Sequence, residues 1–438
     1  MQLVTSAQVA DLADQLSSQS GFRVASIEVE IDPFDFARTG AAIVDRAVAL
    51  STPNGVRLAG LGTAWRARGG GGNRFAEVAA QLRQLDRPEI KGFLGFSFLA
   101  DPAESAVWEG FEPCEVFVPR IAIEGRGARS AISVAIPPGD EAHPTLDLLA
   151  SMRHPEWAPV VDLGDHATES HPAVSRWTSS VADAVEVIEA GEIDKVVLAR
   201  SVVVKSEEPP AVLRMFRELV ATYPQCYNFA WKSGDAVFMG ASPELLAHVE
   251  GTTLRSNPLA GSAPRGEGKT HDHEIGSRLL ESSKDRREHS LVVDSMKEQL
   301  ASLTSELSVS AEPSLKKMAT VQHLSSEIAG VLNDGVGLLD VIEAVHPTPA
   351  VGGVPTKAAV DLIGQLESID RGWYTGGVGW VDGAGDGAVA LGLRCGLIRD
   401  ATTHLYAGAG IVAGSQPDDE LRETRLKLKP LLQLLTAT

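Results

Sequence analysis

A short apolar strand that ends in a Gly/Ser/Pro turn is the feature that most constrains this chain. The strand begins at Ala236, and its turn, Ser242-Pro243-Glu244, presents a single carboxylate. A second turn, residues 256–263, is built from small residues whose backbone N–H groups a ligand could contact. Each turn alone is typical of an ordinary hairpin end. The rest of the sequence indicates whether these two turns are ordinary hairpin ends or parts of a binding site.

Length and charge limit the classes of protein and partner. A chain of 438 residues is long enough for two domains or for one large α/β unit. Its net charge of −19 disfavours nucleic acid and acidic membranes as partners, since neither is attracted to an acidic surface. If the substrate is an anion, its site has to concentrate positive side chains against the field of the whole protein.

Cysteine content and hydropathy indicate a cytoplasmic protein. Cys114, Cys226 and Cys395 are far apart and show neither a disulfide framework nor a zinc spacing. The N-terminus lacks the basic start of a signal peptide, and no window of about 18 uninterrupted apolar residues is present. We therefore expect no membrane partner. The segment 138–172, rich in Pro, His, Asp and Gly, is the best candidate for a linker.

Three charged residues lie within or beside apolar segments. Lys195 precedes a continuous apolar strand, for which a solvated strand end is the alternative to a functional lysine. Glu288 lies on the apolar face of a helical region that breaks near Ser282, and a carboxylate there is costly unless an ion pairs with it. Arg394 lies inside an apolar run predicted as one strand, 387–398, and needs an anion, either a structural carboxylate or a substrate.

The closing region adds a helix rich in carboxylates. After Pro417, the residues Glu420, Glu423 and Lys427 share one helical face, separate from an apolar face of leucines. A solvated acidic face is the ordinary interpretation of such a helix. The preceding run, 405–412, is predicted to form another turn that exposes backbone groups.

Together, these segments resemble the chorismate-utilising enzymes, and among them the isochorismate synthases. The resemblance is strong from Ser175 to Leu435 and looser in the N-terminal part. The motifs that carry it are Lys195-Val196-Val197-Leu198-Ala199-Arg200, Ser242-Pro243-Glu244, Pro258-Leu259-Ala260-Gly261, Lys284-Asp285-Arg286-Arg287-Glu288-His289, His346-Pro347-Thr348-Pro349-Ala350, Ala407-Gly408-Ala409-Gly410-Ile411-Val412 and Glu423-Thr424-Arg425-Leu426-Lys427. Each motif is weak alone, but all of them in the family's order are hard to explain by chance.

The resemblance implies an α+β fold in which two β-sheets pack face to face with helices outside them. It implies one unit, in which residues 1–170 form a more variable N-terminal part and residues 171–438 form the chorismate-binding catalytic region. Chorismate is the expected small-molecule partner, Mg²⁺ is the expected cofactor, and a monomer is the expected oligomeric state.

The resemblance also implies roles for individual residues. Lys195 would activate water for attack on C2 of chorismate, and Glu244 would protonate the departing C4 hydroxyl, which requires a dry, protonated carboxyl. Glu288 and Glu423 would hold Mg²⁺, with Glu420 behind them. The residues expected to bind the substrate are Gly261, Ser262, His323, Ala350, Arg394, Gly408 and Lys427.

Elementary electrostatics agrees with these roles. Chorismate carries two carboxylates, so Lys195, Arg394, Lys427 and Mg²⁺ would supply the positive charge that an acidic protein lacks. Glu288 and Glu423 would repel this dianion unless a divalent cation lay between them. Hard oxygen ligands with remaining waters suit Mg²⁺.

Within the family, Lys195 favours the members that use water. The amine-transferring members characteristically have glutamine there, because ammonia is itself the nucleophile. Salicylate synthase shares the lysine and then eliminates pyruvate in the same pocket, so it is the alternative, although segment 346–351 looks more like the isochorismate synthases. A chorismate-binding regulatory protein is the non-enzymatic alternative, against which the acid, the base and the metal carboxylates argue. Both menaquinone and siderophore synthesis begin with the same reaction.

Overall fold

The structure is a computed structural model that describes residues 2–102, 105–126, 129–153 and 166–436. The α-helices are α1 (Ser6–Ser17), α2 (Pro33–Gly40), α3 (Arg74–Arg83), α4 (His143–Ser151), α5 (Val174–Glu189), α6 (Val212–Thr222), α7 (Gly268–Glu281), α8 (Ser283–Leu300), α9 (Leu338–Val345), α10 (Thr356–Leu366) and α11 (Pro417–Thr436). The strands are β1 (Arg23–Val29), β2 (Arg46–Ser51), β3 (Val56–Leu61), β4 (Trp65–Gly69), β5 (Lys91–Phe96), β6 (Cys114–Val118), β7 (Ile121–Arg126), β8 (Arg129–Ile136), β9 (His166–His171), β10 (Lys195–Ser206), β11 (Tyr227–Ser233), β12 (Ala236–Ser242), β13 (Leu245–Glu250), β14 (Thr253–Asn257), β15 (Leu259–Pro264), β16 (Thr304–Val309), β17 (Ser314–Lys317), β18 (Val321–Ser325), β19 (Ile328–Leu332), β20 (Gly353–Val354), β21 (Gly377–Asp382), β22 (Gly387–Leu391), β23 (Cys395–Arg399) and β24 (Thr402–Ile411).

In the described part of the chain, these strands form two large sheets and one small sheet. The largest sheet has 12 strands in the order β1-β8-β7-β3-β2-β11-β12-β23-β24-β10-β20, with β9 also paired to β10. The second sheet has nine strands, in the order β16-β19-β14-β13-β22-β21-β5-β6-β4, and the third has three, β15-β18-β17. Neighbouring strands run antiparallel, as β10 and β24 do over ten paired positions.

The 12-stranded and nine-stranded sheets pack face to face through aromatic side chains. The Trp231 ring of β11 lies 5.0 Å from the Phe117 ring of β6 and 5.0 Å from the Trp373 ring, measured between centroids. Phe238 of β12 and Phe93 of β5 belong to the same buried cluster. Since alternate residues of a strand point to opposite faces, one face of each sheet supplies this shared core. The expected pair of face-to-face sheets is confirmed, and the three-stranded sheet is an addition to it.

Amphipathic helices cover the outer faces of the two large sheets. Helices α1, α2, α4, α6 and α11 bury Leu12, Phe36, Leu149, Phe216 and Leu428 against the 12-stranded sheet. Helices α3, α5, α8, α9 and α10 share a second core with the nine-stranded sheet and β10. None of the helices in the described ranges combines the length and the hydropathy needed to cross a bilayer.

The predicted break in the helical region before Glu288 is confirmed at Ser282. The backbone of Ser282 is extended, and its hydroxyl accepts a hydrogen bond from the Asp285 backbone N–H at 3.3 Å. This contact satisfies one of the N–H groups that the first turn of a helix leaves without a partner. The serine therefore ends α7 and fixes the start of α8, the helix that carries Glu288.

Two neighbouring turns, at each of which the chain crosses from one large sheet to the other, together form the seam of the molecule. The turn between β12 and β13 holds Glu244, and the turn between β22 and β23 holds Arg394. The two turns are hydrogen bonded to each other: Ala241 N–H donates to Arg394 O at 3.2 Å, and Leu391 N–H donates to Glu244 O at 3.1 Å. Both charged residues are thereby placed at one junction of the sheets.

The seam corrects one predicted strand. The run 387–398 is not one strand but two, β22 and β23, which belong to different sheets. Arg394 adopts a left-handed backbone conformation, with φ of +49°, which interrupts the pleat between them. An apolar run cannot reveal this change of sheet, because residues buried in either sheet give the same sequence pattern.

Strands from both sides of residue 170 take part in both large sheets. β2 pairs with β11, and β5 pairs with β21. The boundary between 1–170 and 171–438 stays a prediction. The linker interpretation of 138–172 is wrong for its described parts, because α4 buries Leu146 and Leu149 and because β9 pairs with β10. The middle of that segment, 154–165, lies outside the described residues.

Candidate active site

The carboxyl group of Glu244 lies in a dry part of the seam. Glu244 is 4 % exposed, and its Oε1 accepts a hydrogen bond from the Leu259 backbone N–H at 3.3 Å. Burial raises the pKa of Glu244 to about 7, while the Leu259 hydrogen bond and nearby cations act in the opposite direction. This carboxyl group therefore keeps a proton close to neutral pH, as a general acid must.

Arg394 and His323 form a second polar pair at the seam. Arg394 Nη2 lies 2.9 Å from His323 Nε2. Because a guanidinium only donates, Nε2 accepts and the ring proton lies on Nδ1. Nδ1 is 3.0 Å from Ser262 Oγ and 3.3 Å from the Gly261 carbonyl oxygen. Burial, and then the charge of Arg394, lower the pKa of His323 well below its usual value, so the ring is neutral.

Gly261 brings the backbone of β15 close to α8. Its φ of +68° lies in the left-handed region, and a Cβ there would approach the Asp285 Cβ to 3.0 Å. The pairing of β15 with β18 shifts register between Ala260 and Ser262, on either side of this glycine. Such an irregularity changes the direction in which neighbouring residues point. Gly261 and Ser262 both line the cavity described below.

Lys195 is buried at the start of β10 and forms an ion pair with Glu288. Lys195 is 1 % exposed, and its Nζ lies 3.0 Å from Glu288 Oε1. The alternative of a solvated strand end is therefore wrong. Gly410, on the adjacent strand β24, leaves room for this pair, because a Cβ at that position would overlap Glu288 Oε1 and lie 3.1 Å from Lys195 Cε.

Helix α11 contributes a glutamate and a lysine one turn apart. Lys427 Nζ lies 2.5 Å from Glu423 Oε1 and donates to the carbonyl oxygen of Gly408 at 2.9 Å. The ammonium is thus held between a carboxylate and the β24 backbone. The predicted turn at 405–412 is wrong, because Thr402–Ile411 form β24, in which Gly408 presents its carbonyl oxygen to Lys427.

Glu288 and Glu423 are the candidate metal ligands. Within the described residues, no three His, Cys, Asp or Glu side chains are grouped as a metal site. Mg²⁺ does not require such a cage, because it usually keeps several waters and binds one or two carboxylates together with ligand oxygens. Two carboxylates on one cavity, from α8 and α11, fit that requirement. Glu420 is paired with Lys284 at 2.9 Å and is not among the residues that line the cavity.

One cavity at the seam brings most of the expected site residues together. It is lined by Glu244, Gly261, Ser262, Glu288, His323, Ala350, Arg394, Gly408, Glu423 and Lys427. Lys195 adjoins the cavity through Glu288 and Gly410, which are both part of its lining. Arg394 and Lys427 supply positive charge to the lining, where they accompany the carboxylates of Glu288 and Glu423. The individual roles of these residues stay predictions.

The aromatic part of the cavity was missed from the sequence. Tyr374 and Tyr406 stack with ring centroids 5.3 Å apart and an angle of 15° between the rings, and both line the cavity. A Cβ on Gly408 would lie 2.9 Å from Tyr374 Oη. Neither tyrosine belongs to one of the family motifs. The only indication in the sequence is the glycine at position 408, which leaves space for the Tyr374 side chain.

A buried arginine behind the cavity was missed as well. Arg371 Nη1 donates to Val351 O at 2.8 Å, and Nη2 donates to Val197 O at 2.7 Å. Its charge is paired with Glu367 at 2.5 Å, and both side chains are almost completely buried. A buried ion pair of this kind is tolerated because the guanidinium donors all have acceptors. Through these hydrogen bonds, Arg371 holds together two segments that line the cavity.

Comparison with known proteins agrees with this geometry. Residues 8–436 match the family described as chorismate binding enzyme. The chain belongs to this family. The salicylate biosynthesis isochorismate synthase of Pseudomonas aeruginosa is 34 % identical over 435 residues, which cover 93 % of this chain and 89 % of that protein. The isochorismate synthase MenF of Bacillus subtilis is 35 % identical over 374 residues, which cover 83 % of this chain and 79 % of that protein.

Solved structures of chorismate-binding enzymes share the fold. MenF, the menaquinone-specific isochorismate synthase from Escherichia coli, superposes with a TM-score of 0.86 at 24 % identity, covering 98 % of this chain and 99 % of that chain. Anthranilate synthase component I from Streptococcus pneumoniae gives a TM-score of 0.72 at 21 % identity, covering 87 % and 93 %. The expected fold, two sheets with outer helices, is therefore that of this enzyme family.

Proposed function

We propose that this chain is a Mg²⁺-dependent isochorismate synthase, which converts chorismate to isochorismate. The observation that carries the proposal is that a carboxyl group able to keep its proton, Glu244, and a buried lysine, Lys195, adjoin one cavity. Two cations, Arg394 and Lys427, lie in the lining of that cavity. The two relatives described above, both named isochorismate synthase and matched over most of their length, support it.

Substrate binding would use the cations that line the cavity. Chorismate has two carboxylates, and a guanidinium binds a carboxylate with directed, charge-assisted hydrogen bonds. Arg394 is oriented by His323, which is neutral and therefore does not compete as a charge. Lys427 is held on the Gly408 carbonyl, where a second carboxylate could reach it. Tyr374 and Tyr406 would pack against the ring.

Lys195 would be the general base. Its ammonium must part from Glu288 and lose a proton before the amine can accept one. Because Lys195 is buried, only a water molecule inside the cavity could meet it. As the oxygen of that water forms a bond to C2, its proton would pass to Lys195 Nζ.

Glu244 would be the general acid. Its proton would pass to the C4 hydroxyl, the C4–O bond would break, and water would leave while the ring double bonds shift. Lys195 then carries one proton more and Glu244 one proton fewer, so the reaction consumes one water and releases one. A carboxyl group with a pKa of about 7 is well matched to proton transfer near neutral pH.

Glu288 and Glu423 would hold the metal ion. Bound there, Mg²⁺ supplies positive charge to the ring carboxylate. Each of the two glutamates lies beside a lysine, Lys195 and Lys427 respectively, so the carboxylates are held at the cavity before any ligand arrives. Glu420 would act behind them through its contact with Lys284.

Incubation of the protein with chorismate and Mg²⁺, followed by chromatography, tests the proposal. We expect isochorismate as the product, whichever of menaquinone or siderophore synthesis it enters. Salicylate together with pyruvate would support the salicylate synthase alternative instead. Chorismate recovered unchanged would contradict both. Cytoplasmic location and a monomeric state stay predictions, to be checked by fractionation and by light scattering.

A further inference from the structure

A lysine outside the cavity holds the turn that carries the proposed general acid. Lys316 lies on β17 of the three-stranded sheet and is half-buried. Its Nζ donates to the Pro243 carbonyl oxygen at 2.6 Å and to Asn257 Oδ1 at 3.3 Å. Pro243 immediately precedes Glu244, so one ammonium joins the seam turn to the end of β14.

The second partner of Lys316 leads back to the same carboxyl group. Asn257 Nδ2 donates to the Ser326 carbonyl oxygen at 2.9 Å, which fixes the amide. Two residues later, the Leu259 backbone N–H donates to Glu244 Oε1 at 3.3 Å. Lys316 therefore contacts both the segment that carries Glu244 and the segment that donates a hydrogen bond to it.

The charge of Lys316 acts on Glu244 as well. Burial lowers the pKa of Lys316, while nearby Cys226 and Glu244 act in the opposite direction. Reciprocally, the cations near Glu244 favour its ionised form and oppose the effect of burial on its pKa. Those cations are Lys195, Lys316 and Arg394. The other titratable groups that line the cavity are Glu288, His323, Tyr374, Tyr406, Glu423 and Lys427.

We propose that Lys316 is a positioning residue for the general acid: it fixes the Pro243–Glu244 turn through two hydrogen bonds, and its charge sets the pH range in which Glu244 can donate a proton. This inference rests on the proposed function, because it assigns Lys316 to the acid step of that reaction. None of the family motifs contains Lys316, and it does not line the cavity.

The pH dependence of kcat/KM in Lys316→Met tests the inference. Without the ammonium, ionisation of Glu244 becomes less favourable, so we expect the inflection near pH 7 to move up by about one pH unit. The turn also loses its anchor, so we expect kcat at the optimum to fall about tenfold with little change in KM. Lys316→Arg keeps the charge and the donors and should restore both quantities.

Lys317→Met is the matched control. Lys317 is the next residue of β17 and pairs with Asp272 at 2.8 Å, so its removal should leave the inflection and kcat unchanged. If Lys316→Met does not fold, as judged by circular dichroism, Lys316→Gln carries the same test, since it keeps a donor and loses the charge. We expect it to show the pH shift with a smaller loss of kcat.

The outcomes separate this inference from the proposed function. If the wild-type protein converts chorismate and the inflection stays in place in Lys316→Met and in Lys316→Gln, the inference is wrong and the function stands. An equal shift in Lys317→Met would also overturn it, because the effect would then be one of general surface charge. If the wild-type protein does not convert chorismate, the proposed function fails, and the inference fails with it.

Discussion

Two walls of the cavity place the same kind of side chain in opposite environments. The crossover wall, formed by Glu244, His323 and Arg394, holds a carboxyl group that makes no ion pair with any described residue and is 4 % exposed. The helical wall, formed by Glu288 and Glu423, holds carboxylates whose side chains are 13 % and 26 % exposed and which each have a lysine partner. Position in the fold, and not residue type, decides which glutamate is buried enough to keep a proton and which are left as candidate ligands for a cation.

The difference follows from how each wall is built. In the crossover wall, Glu244 and Arg394 lie in turns that join strands of the two large sheets, and His323 lies on β18 beside them. Backbone groups therefore surround Glu244, and water is excluded from it. The helical wall is made of side chains that reach out from α8 and α11, where solvent remains nearby. A general acid has to keep its proton, and burial away from water helps it to do so because burial disfavours the charged form. A carboxylate that binds Mg²⁺ is better placed near solvent, because Mg²⁺ usually keeps several bound water molecules.

Removal of the proposed base should have the largest effect, because it removes the proposed proton acceptor, Lys195, which joins Glu288 of the helical wall to β10. We expect Lys195→Gln to lower the rate of isochorismate formation about 10³-fold or more, since general base catalysis is lost. Chorismate binding, measured by calorimetry, should remain. Lys205→Gln, at the exposed end of the same strand, is the control. Near-normal turnover by Lys195→Gln would show that Lys195 is not the general base.

Removal of the metal tests the helical wall. Excess EDTA should abolish activity and Mg²⁺ should restore it, because the substrate would otherwise meet two carboxylates unshielded. Glu423→Gln should raise the Mg²⁺ concentration for half-maximal activity about 10–100-fold. Asp419→Asn, an exposed change on the same helix, should leave that concentration unchanged. Full activity in excess chelator would show that the helical wall does not act through a metal.

A substitution on β24, beside the helical wall, should have a smaller effect. In Gly410→Ala, the new Cβ would displace Glu288 from Lys195, so we expect kcat to fall about 10–100-fold while the fold is kept. Gly364→Ala is the control, since a Cβ there meets nothing within 4 Å. If Gly410→Ala is as active as the wild type, the contact between Lys195 and Glu288 has no part in arranging the site.

The crossover wall is tested by the pH dependence of stability. Burial raises the pKa of Glu244 from 4.5 to about 7, so the folded protein keeps a proton that the unfolded chain releases between these values. Wild-type stability therefore falls as pH rises through this window, and Glu244→Gln avoids the loss. We expect the variant to be more stable than the wild type by about 3 kcal/mol near pH 8 and by less than about 1 kcal/mol near pH 5.

Denaturant unfolding at both pH values measures this difference. Glu298→Gln, an exposed substitution on α8, should change stability by less than about 0.5 kcal/mol at either pH. A difference between Glu244→Gln and the wild type that does not vary with pH would mean that Glu244 titrates normally. The contrast between the two walls would then be lost.

Much of the site could be predicted because its residues lie in short, local patterns. The break at Ser282, the strand after Lys195 and the helix after Pro417 are all visible in hydrophobic periodicity and capping residues. The crossing from one sheet to the other at Arg394 could not be predicted, because buried strands of either sheet have the same apolar sequence pattern. Tyr374 and Lys316 also escaped notice, since their importance depends on neighbours that are distant in sequence.

The sequence by itself determined which elements form and which charged residues interrupt them, and its motifs identified the enzyme family. Only the tertiary structure decided the protonation state of Glu244 and the partner of Lys195. Both depend on the local dielectric environment and on atoms that the two crossovers bring together from separate parts of the chain. A carboxyl group has no distinctive pKa until the fold has removed its water, and this is why glutamates of one chain can be proposed both as an acid and as metal ligands.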